Sequence, residues 1–311
     1  MDILISGGSG FLGSAFSEAL IKDYQAKNHP LHITWLTRDS HQAHPDSISM
    51  LSYSELEKTD KSFDVILNLA GAGIADERWS EARKETLLAS RITPTESLLR
   101  FMERSSVKPK LLVSGSAIGW YGSQGDTPLT ETSAAKDDFA HQLCETWEQR
   151  ALKATDFGVP VAIVRTGVVI HPDGGMLAKL LTPFQMGAGG QLGAGQQIMS
   201  WISRDDWVGA VIFIIEQHLS GANKTSQIRH TIYNLTAPNP ITNRTFTKAL
   251  GNWLHRPTFL TLPSAVLKVM FGEMATLLID GQKVLPQALL DAGYSFKQPT
   301  LESALSQQQP S

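Results

Sequence analysis

The chain has 311 residues, 42% of them hydrophobic, and a formal net charge of -3 with a pI near 6.3. That length suits about two domains, or one large sheet domain with an appendage, and the basic excess that nucleic acid demands is absent. The most apolar stretches, 208–215 and 265–278, are too short or too interrupted to span a bilayer. A single cysteine, Cys144, excludes an intramolecular disulfide, and a first strand starting at Asp2 leaves no room for a signal peptide, so the cytoplasm is the expected compartment.

Ile3-Leu4-Ile5-Ser6 runs into Gly7-Gly8-Ser9-Gly10-Phe11-Leu12-Gly13, and Ala15, Phe16, Ala19 and Leu20 follow at helical spacing. An apolar run, a glycine cluster and a 3.6-residue period predict strand, tight turn and helix. Gly7 permits a sharp turn, Gly10 lets backbone approach phosphates closely, and Gly13 lets the helix lie close on the sheet. The helix N-terminus adds free N–H groups and partial positive charge, so this crook is where a dinucleotide pyrophosphate belongs. Gly7, Gly10, Phe11 and Leu12 are its predicted lining.

A second strand is expected over 31–38. An acidic residue near its end would receive a ribose hydroxyl, whereas a cation would bind a 2′-phosphate. Thr37 and Arg38 favour the phosphate, and Asp39 keeps both options open. His41 and His44 bring no cysteine or carboxylate cluster and read as exposed loop, so no metal site is expected. The segment 47–52 is short; Phe63 to Leu69 is a strong strand. Leu69, Ala70 and Gly71 then form a small-residue turn suited to backbone passing close to a bound cofactor.

Glu77 to Met102 reads as a long helix, kinked or restarted at Pro94. Lys110 to Ser116 is a strand ending in the hydroxyls of Ser114 and Ser116. Phe139 to Asp156 is helical and Val159 to Thr166 is a strand. This alternation predicts an α/β fold, a parallel sheet with helices on both faces and ligands at its carboxyl edge. From His171 the pattern loosens into Gly174-Gly175-Met176 and a glycine-rich span, 187–195. Ser203 and Asp206 cap a helix through Ile215, and a strand over Ile228 to Leu235 closes the sheet. Pro238 and Pro240 mark the boundary between a nucleotide-binding domain, 1–236, and a small helical cap, 237–311.

These glycines, the turn after Asn68, Ser114, Ser116 and Tyr121-Gly122 resemble the extended short-chain dehydrogenase/reductases, the superfamily of nucleotide-sugar epimerases and dehydratases. Arg78-Trp79, Ser114-Gly115-Ser116-Ala117, Trp147-Glu148, Ser200-Trp201-Ile202 and Ala237-Pro238-Asn239-Pro240 resemble its epimerase-like branch. That branch carries a C-terminal domain of unknown function, which here would include Gly272-Glu273 and Gly281-Gln282. The resemblance implies a Rossmann-type doubly wound sheet with a mainly helical cap, a small-molecule substrate and helices of the kind that pair such subunits into a homodimer; Thr37 and Arg38 make NADP(H) the expected cofactor. It also carries over Arg91 and Thr166 as cofactor-side residues.

The superfamily's chemistry uses a serine or threonine, a tyrosine and a lysine four residues after the tyrosine. The lysine lowers a phenol pKa from about 10 towards the working pH. With Glu148 aligned to the glutamate that follows this motif, the tyrosine position is Ala140 and the lysine position is Cys144. None of the five tyrosines, Tyr24, Tyr53, Tyr121, Tyr233 and Tyr294, has a lysine four residues on. Ser116 and Tyr121 are the remaining candidates for catalysis. Arg78, Trp79, Tyr121 and Trp201 are the candidates for the substrate pocket. Two functions compete: an NADP(H)-dependent oxidoreductase or epimerase-like enzyme without the usual relay, and a catalytically silent NADP(H)-binding sensor or scaffold.

Overall fold

A computed structural model describes residues 1–38, 44–221 and 230–308. The first half of the chain alternates β1 (Asp2–Ser6), α1 (Phe11–Ala26), β2 (His32–Thr37), β3 (Ile48–Ser52), α2 (Tyr53–Leu56), β4 (Val65–Asn68), α3 (Glu81–Arg104) and β5 (Leu111–Ala117). There follow β6 (Pro128–Leu129), α4 (Phe139–Leu152), β7 (Val161–Thr166), β8 (Val168–His171), α5 (Gly175–Gln185), β9 (Gly190–Leu192), β10 (Ile198–Met199), β11 (Trp201–Ser203), α6 (Arg204–Leu219) and β12 (His230–Leu235). The remainder comprises β13 (Ile241–Thr242), α7 (Asn243–Leu254), β14 (Leu260–Leu262), α8 (Ser264–Phe271), α9 (Thr276–Ile279), β15 (Lys283–Val284), α10 (Gln287–Asp291) and α11 (Leu301–Ser306).

Seven strands form one sheet in the order β12-β7-β5-β4-β1-β2-β3, and every pairing within it is parallel. The strands are apolar on both faces, as a sheet covered on both sides requires. Ile3, Ile5, Val65, Leu67 and Val113 pack with Phe16 and Leu20 of α1 and with Trp207, Val211 and Ile214 of α6. Leu4, Ile66, Leu112 and Ile163 face the other way, onto Leu98, Phe101 and Met102 of α3. The period of two therefore divides the hydrophobic effect between two cores. Strand order reverses between β1 and β4, and at this switch point the carboxyl edge opens a crevice.

Three local expectations change. The 47–52 segment is an edge strand, β3. Helix α3 runs unbroken from 81 to 104 with Pro94 inside it. The loosened pattern after His171 contains α5, which begins directly after Gly174 and holds Pro183 near its end. Those residues look like breakers. Gly174 stands outside α5 as its N-cap. Pro94 and Pro183 lie within helical turns, where each forgoes one backbone hydrogen bond, and buried neighbours, Thr95, Leu98 and Leu99 in α3 and Leu181 and Phe184 in α5, hold the helix together. Leu177, Leu181 and Phe184 of α5 share a third core with Phe246 and Leu250 of α7 and Leu301 and Leu305 of α11. Packing beyond the sheet thus draws on residues from both sides of Pro238. The strand expected from Ile228 is described from His230 onward; Ile228, Asp39 and His41 lie outside the described residues.

Candidate functional site

The crook is built from positions where a side chain has no room. Gly7 has φ +75°, and a Cβ there would stand 2.9 Å from the Leu69 carbonyl carbon and oxygen. A Cβ on Gly13 would stand 2.3 Å from the Gly7 oxygen. Gly10 donates its N–H to the Gly7 carbonyl at 3.1 Å and caps α1 with no side-chain hydrogen bond and no acidic residue in the first turn. The leading N–H groups of α1, those of Phe11 and Leu12 among them, therefore face the crevice without a protein anion of their own. That arrangement fits a pyrophosphate.

Beneath it, Ser6 Oγ donates to Asn68 Oδ1 at 2.6 Å and Asn68 Nδ2 donates to Thr95 Oγ1 at 2.9 Å. The first of these buried bonds ties β1 to β4 where they part, and the second ties β4 to α3. Leu69 donates its N–H to Ser6 at 3.0 Å. Arg91 lies under the turn, 3.1 Å from where a Gly71 Cβ would be, and donates to the Ala72 and Leu87 carbonyls at 3.0 and 2.9 Å. Its guanidinium thus braces Leu69, Ala70 and Gly71 from below. Arg38 is exposed at the carboxyl end of β2, close enough to Tyr53 for its charge to oppose the rise that burial causes in that phenol's pKa. Thr37 beside it is half-buried. Ser114 is buried in mid-strand, and Thr166 Oγ1 accepts the Trp207 indole N–H at 3.0 Å.

Two pocket candidates stand elsewhere than expected. Trp201 is fully buried in the α5–α7–α11 core, its indole N–H donated to the Asn239 carbonyl at 3.0 Å. Tyr121 is fully buried too; its hydroxyl donates to Asn234 Oδ1 at 2.7 Å and accepts from Arg165 Nη1 at 3.1 Å. Burial raises that phenol's pKa, the opposite of what a proton donor near neutral pH requires. An aromatic ring with a polar tip serves a core as well as a pocket when the tip finds a partner.

The partners belong to a network that sequence reasoning missed. Glu148 accepts from Ser116 Oγ at 2.6 Å and from Arg165 Nε and Nη2 at 2.9 and 2.8 Å. The Arg165 guanidinium lies 3.5 Å over the Trp120 ring and the side chain is 1% exposed. A charged residue within the apolar run Val161 to Val164 and Arg165 was the available signal, since a buried arginine needs a buried carboxylate. Because Ser116 gives its only hydrogen to Glu148, its oxygen keeps lone pairs for other contacts.

A cleft of about 230 Å³ is lined in part by Trp79, Phe139, Ala140, Glu273, Thr276 and Asp280. The Trp79 ring stands 4.8 Å from that of Phe139. Lys84 bridges α3 to the cap through Glu273 at 2.7 Å. Arg78 is exposed and rests its guanidinium against Gly272. Asp280, whose carboxyl is raised by burial, also lines a second cleft of about 80 Å³ with Ile118, Ser200 and Gln282. Ala140 and Cys144 lie one turn apart on α4, and a Cβ on Gly119 would touch both. Among the described residues no cluster of histidine, cysteine and carboxylates is placed to hold a metal, and no helix is long and apolar enough to cross a membrane.

The sequence of residues 3–235 matches the model of the NAD dependent epimerase/dehydratase family. The chain belongs to that family. Residues 262–308 match a domain of unknown function, DUF1731, which covers α8, the Glu273–Asp280 wall of the cleft, and β15 to α11. An epimerase family protein of Mycobacterium bovis is 38% identical over 97% of this chain and 96% of its own length. The chloroplastic SDR39U1 homolog of Arabidopsis thaliana is 34% identical over 98% of this chain and 86% of its own. The crystal structure of human epimerase family protein SDR39U1 with NADPH superposes with a TM-score of 0.85 at 30% identity, covering 99% of this chain and 98% of the human one. Family membership and the uncapped crook together make this a nicotinamide-dinucleotide fold.

Burial pushes the Cys144 thiol up to about 11, and the Glu148 carboxylate adds to the rise. An unfolded cysteine ionises near 8.5, so between these values the folded chain keeps a proton that the unfolded chain has released. The stability this contributes is complete below the unfolded value and is lost as pH climbs through the folded one. Urea unfolding across about pH 8.5 to 11 is expected to show wild type losing stability relative to Cys144→Ala, by up to ~1.4 kcal/mol per pH unit. A constant difference between the two proteins would contradict the shift.

Proposed function

We propose that the protein is an NADP(H)-dependent oxidoreductase or epimerase-like enzyme that acts on a small carbonyl or hydroxyl substrate without a Tyr-x-x-x-Lys relay. The observation that carries the reading is the glycine crook with an uncapped α1 N-terminus and an exposed Arg38 at the end of the neighbouring strand. NADPH in the human relative supports the same cofactor. Gly7, Gly10, Phe11 and Leu12 would hold the pyrophosphate, Thr37 and Arg38 the 2′-phosphate, and Leu69, Ala70 and Gly71 the adenosine side. When bound, the nicotinamide supplies the hydride chemistry.

The chain's own part is orientation. Ser116 Oγ, turned by Glu148, meets the substrate as a hydrogen-bond acceptor and so receives a substrate hydroxyl. Arg165 and Tyr121 keep Glu148 in place from behind. Trp79 and Phe139 supply an apolar wall, and Arg78 and Asp280 polar rims. A sensor or scaffold is the second reading, favoured by Ala140 and Cys144 in the places of the relay's tyrosine and lysine.

Cofactor choice is tested by titrating purified protein with NADPH and NADH and following nicotinamide fluorescence. Arg38→Ala is expected to weaken NADPH by roughly 10- to 100-fold, as loss of a charge-assisted phosphate contact does, and NADH by less than about twofold. Equal losses would remove Arg38 from the 2′-phosphate site. The same protein with NADP+ and a panel of small alcohols, and with NADPH and the corresponding ketones and aldehydes, separates the two functions. Alcohol oxidation lost in Ser116→Ala marks an enzyme, whereas tight NADPH binding with no turnover across either panel favours the sensor.

A further inference from the structure

Phe11 joins the crook to the rest of the molecule. As the first residue of α1 it offers its N–H to the crevice, while its ring packs on the β8–α5 turn, where a Cβ on Gly174 would stand 2.3 Å from a ring carbon. His171 packs on the ring at 6.2 Å. Over it lies Arg204, its guanidinium carbon 5.6 Å from the ring centroid. Arg204 opens α6, the helix end where a cation is disfavoured by the macrodipole. Asp205 and Asp206 already suit that terminus and Ser203 caps it, so helix electrostatics give no reason for an arginine there.

The ion partner of Arg204 among the described residues is Asp173, at 3.3 Å; the aspartate side chain is 70% exposed and the arginine 23%. Solvated pairs of this kind hold weakly. Asp173 also donates its N–H to His171 Nδ1 at 3.1 Å. Burial, with Arg204 adding to it, holds His171 below the ordinary imidazole range, so it competes little for the aspartate. An arginine side chain loosely tethered next to a helix N-terminus, with an aromatic ring to slide across, is placed to meet an anion at that terminus.

We propose that Arg204 is a further cofactor ligand, which releases Asp173 and crosses the Phe11 ring to the pyrophosphate, with Asp173 as its counter-ion in the free protein. This rests on the reading that the crook takes a dinucleotide. Since the pyrophosphate is common to NADPH and NADH, Arg204 should act on both, unlike Arg38.

The test is fluorescence titration of the full chain with NADPH and with NADH. Arg204→Gln is expected to weaken both about tenfold, the scale of one charge-assisted contact. Arg204→Lys should recover part of the loss, because the charge remains. Asp173→Asn is expected to tighten both about threefold by removing the competing anion, and thermal unfolding of the free proteins checks that each variant is folded. Unchanged binding in Arg204→Gln, a loss confined to NADPH, or weaker binding in Asp173→Asn would each overturn the proposal. Wild-type protein that binds neither dinucleotide at saturation would instead overturn the reading beneath it, and this inference with it.

Discussion

Gly13→Ala is expected to abolish measurable dinucleotide binding and to lower folding stability by about 3 kcal/mol, the upper part of the range for overpacking. The new Cβ would lie 2.3 Å from the Gly7 oxygen, 2.7 Å from Gly8 Cα and 2.8 Å from the Gly8 oxygen. All three are backbone atoms, so no rotamer change relieves the clash. Nor can the turn retreat, because Gly7 already lies against the Leu69 carbonyl and Gly8 against the Trp35 ring. Helix α1 must therefore lift off the sheet, dragging Phe16 and Leu20 out of the core. Gly10→Ala provides the contrast. Its Cβ would meet only the Gly7 oxygen, at 3.2 Å, so stability should change by less than about 1 kcal/mol while the methyl group intrudes on the pyrophosphate. Urea unfolding and NADPH titration of both variants separate the two roles; normal binding in Gly13→Ala would refute the close-packing account.

This part of the molecule was legible in the sequence because each glycine answers to a constraint within a few residues of itself. The β1–α1 unit needs no knowledge of the distant chain, and the inner strands declare themselves as continuous apolar runs. Helix α5 did not, since Gly174, Gly175 and Pro183 read as breakers by local preference, and only the packing of Leu177, Leu181 and Phe184 in the third core overrides it. The aromatic candidates failed for another reason. Tyr121 and Trp201 each bear one polar atom, and whether a pocket or a core receives it depends on Asn234 and Asn239, more than thirty residues away in the chain. Trp79 does line the cleft, yet the wall opposite, Glu273 to Asp280, exists only once the cap has docked. Local pattern locates the nucleotide crook; the substrate side is a product of tertiary contact.

Arg165→Met is expected to cost about 3–5 kcal/mol, the scale for breaking a buried ion pair from one side. In a protein of ordinary marginal stability that is about a fifth or more of the total. The arginine is nearly inaccessible and joins both Glu148 oxygens to the Tyr121 hydroxyl. Methionine fills similar space over the Trp120 ring but leaves the carboxylate with Ser116 alone and removes one of the two partners of the phenol. Glu148→Met strands the guanidinium instead and should be comparably costly. The double variant leaves neither charge buried, so it should be more stable than either single one, with a coupling energy of several kcal/mol in a double-mutant cycle of urea midpoints. A cost below about 1 kcal/mol in Arg165→Met, or strict additivity, would show that water has entered and dissolved the pair. Cofactor titration adds a further distinction. The network lies under Ser116 and away from the crook, so the double variant should hold NADPH as wild type does, while Ser116, no longer obliged to give its hydrogen to Glu148, becomes free to donate to a carbonyl. Any turnover that survives should then shift its preference from hydroxyl substrates towards carbonyl ones.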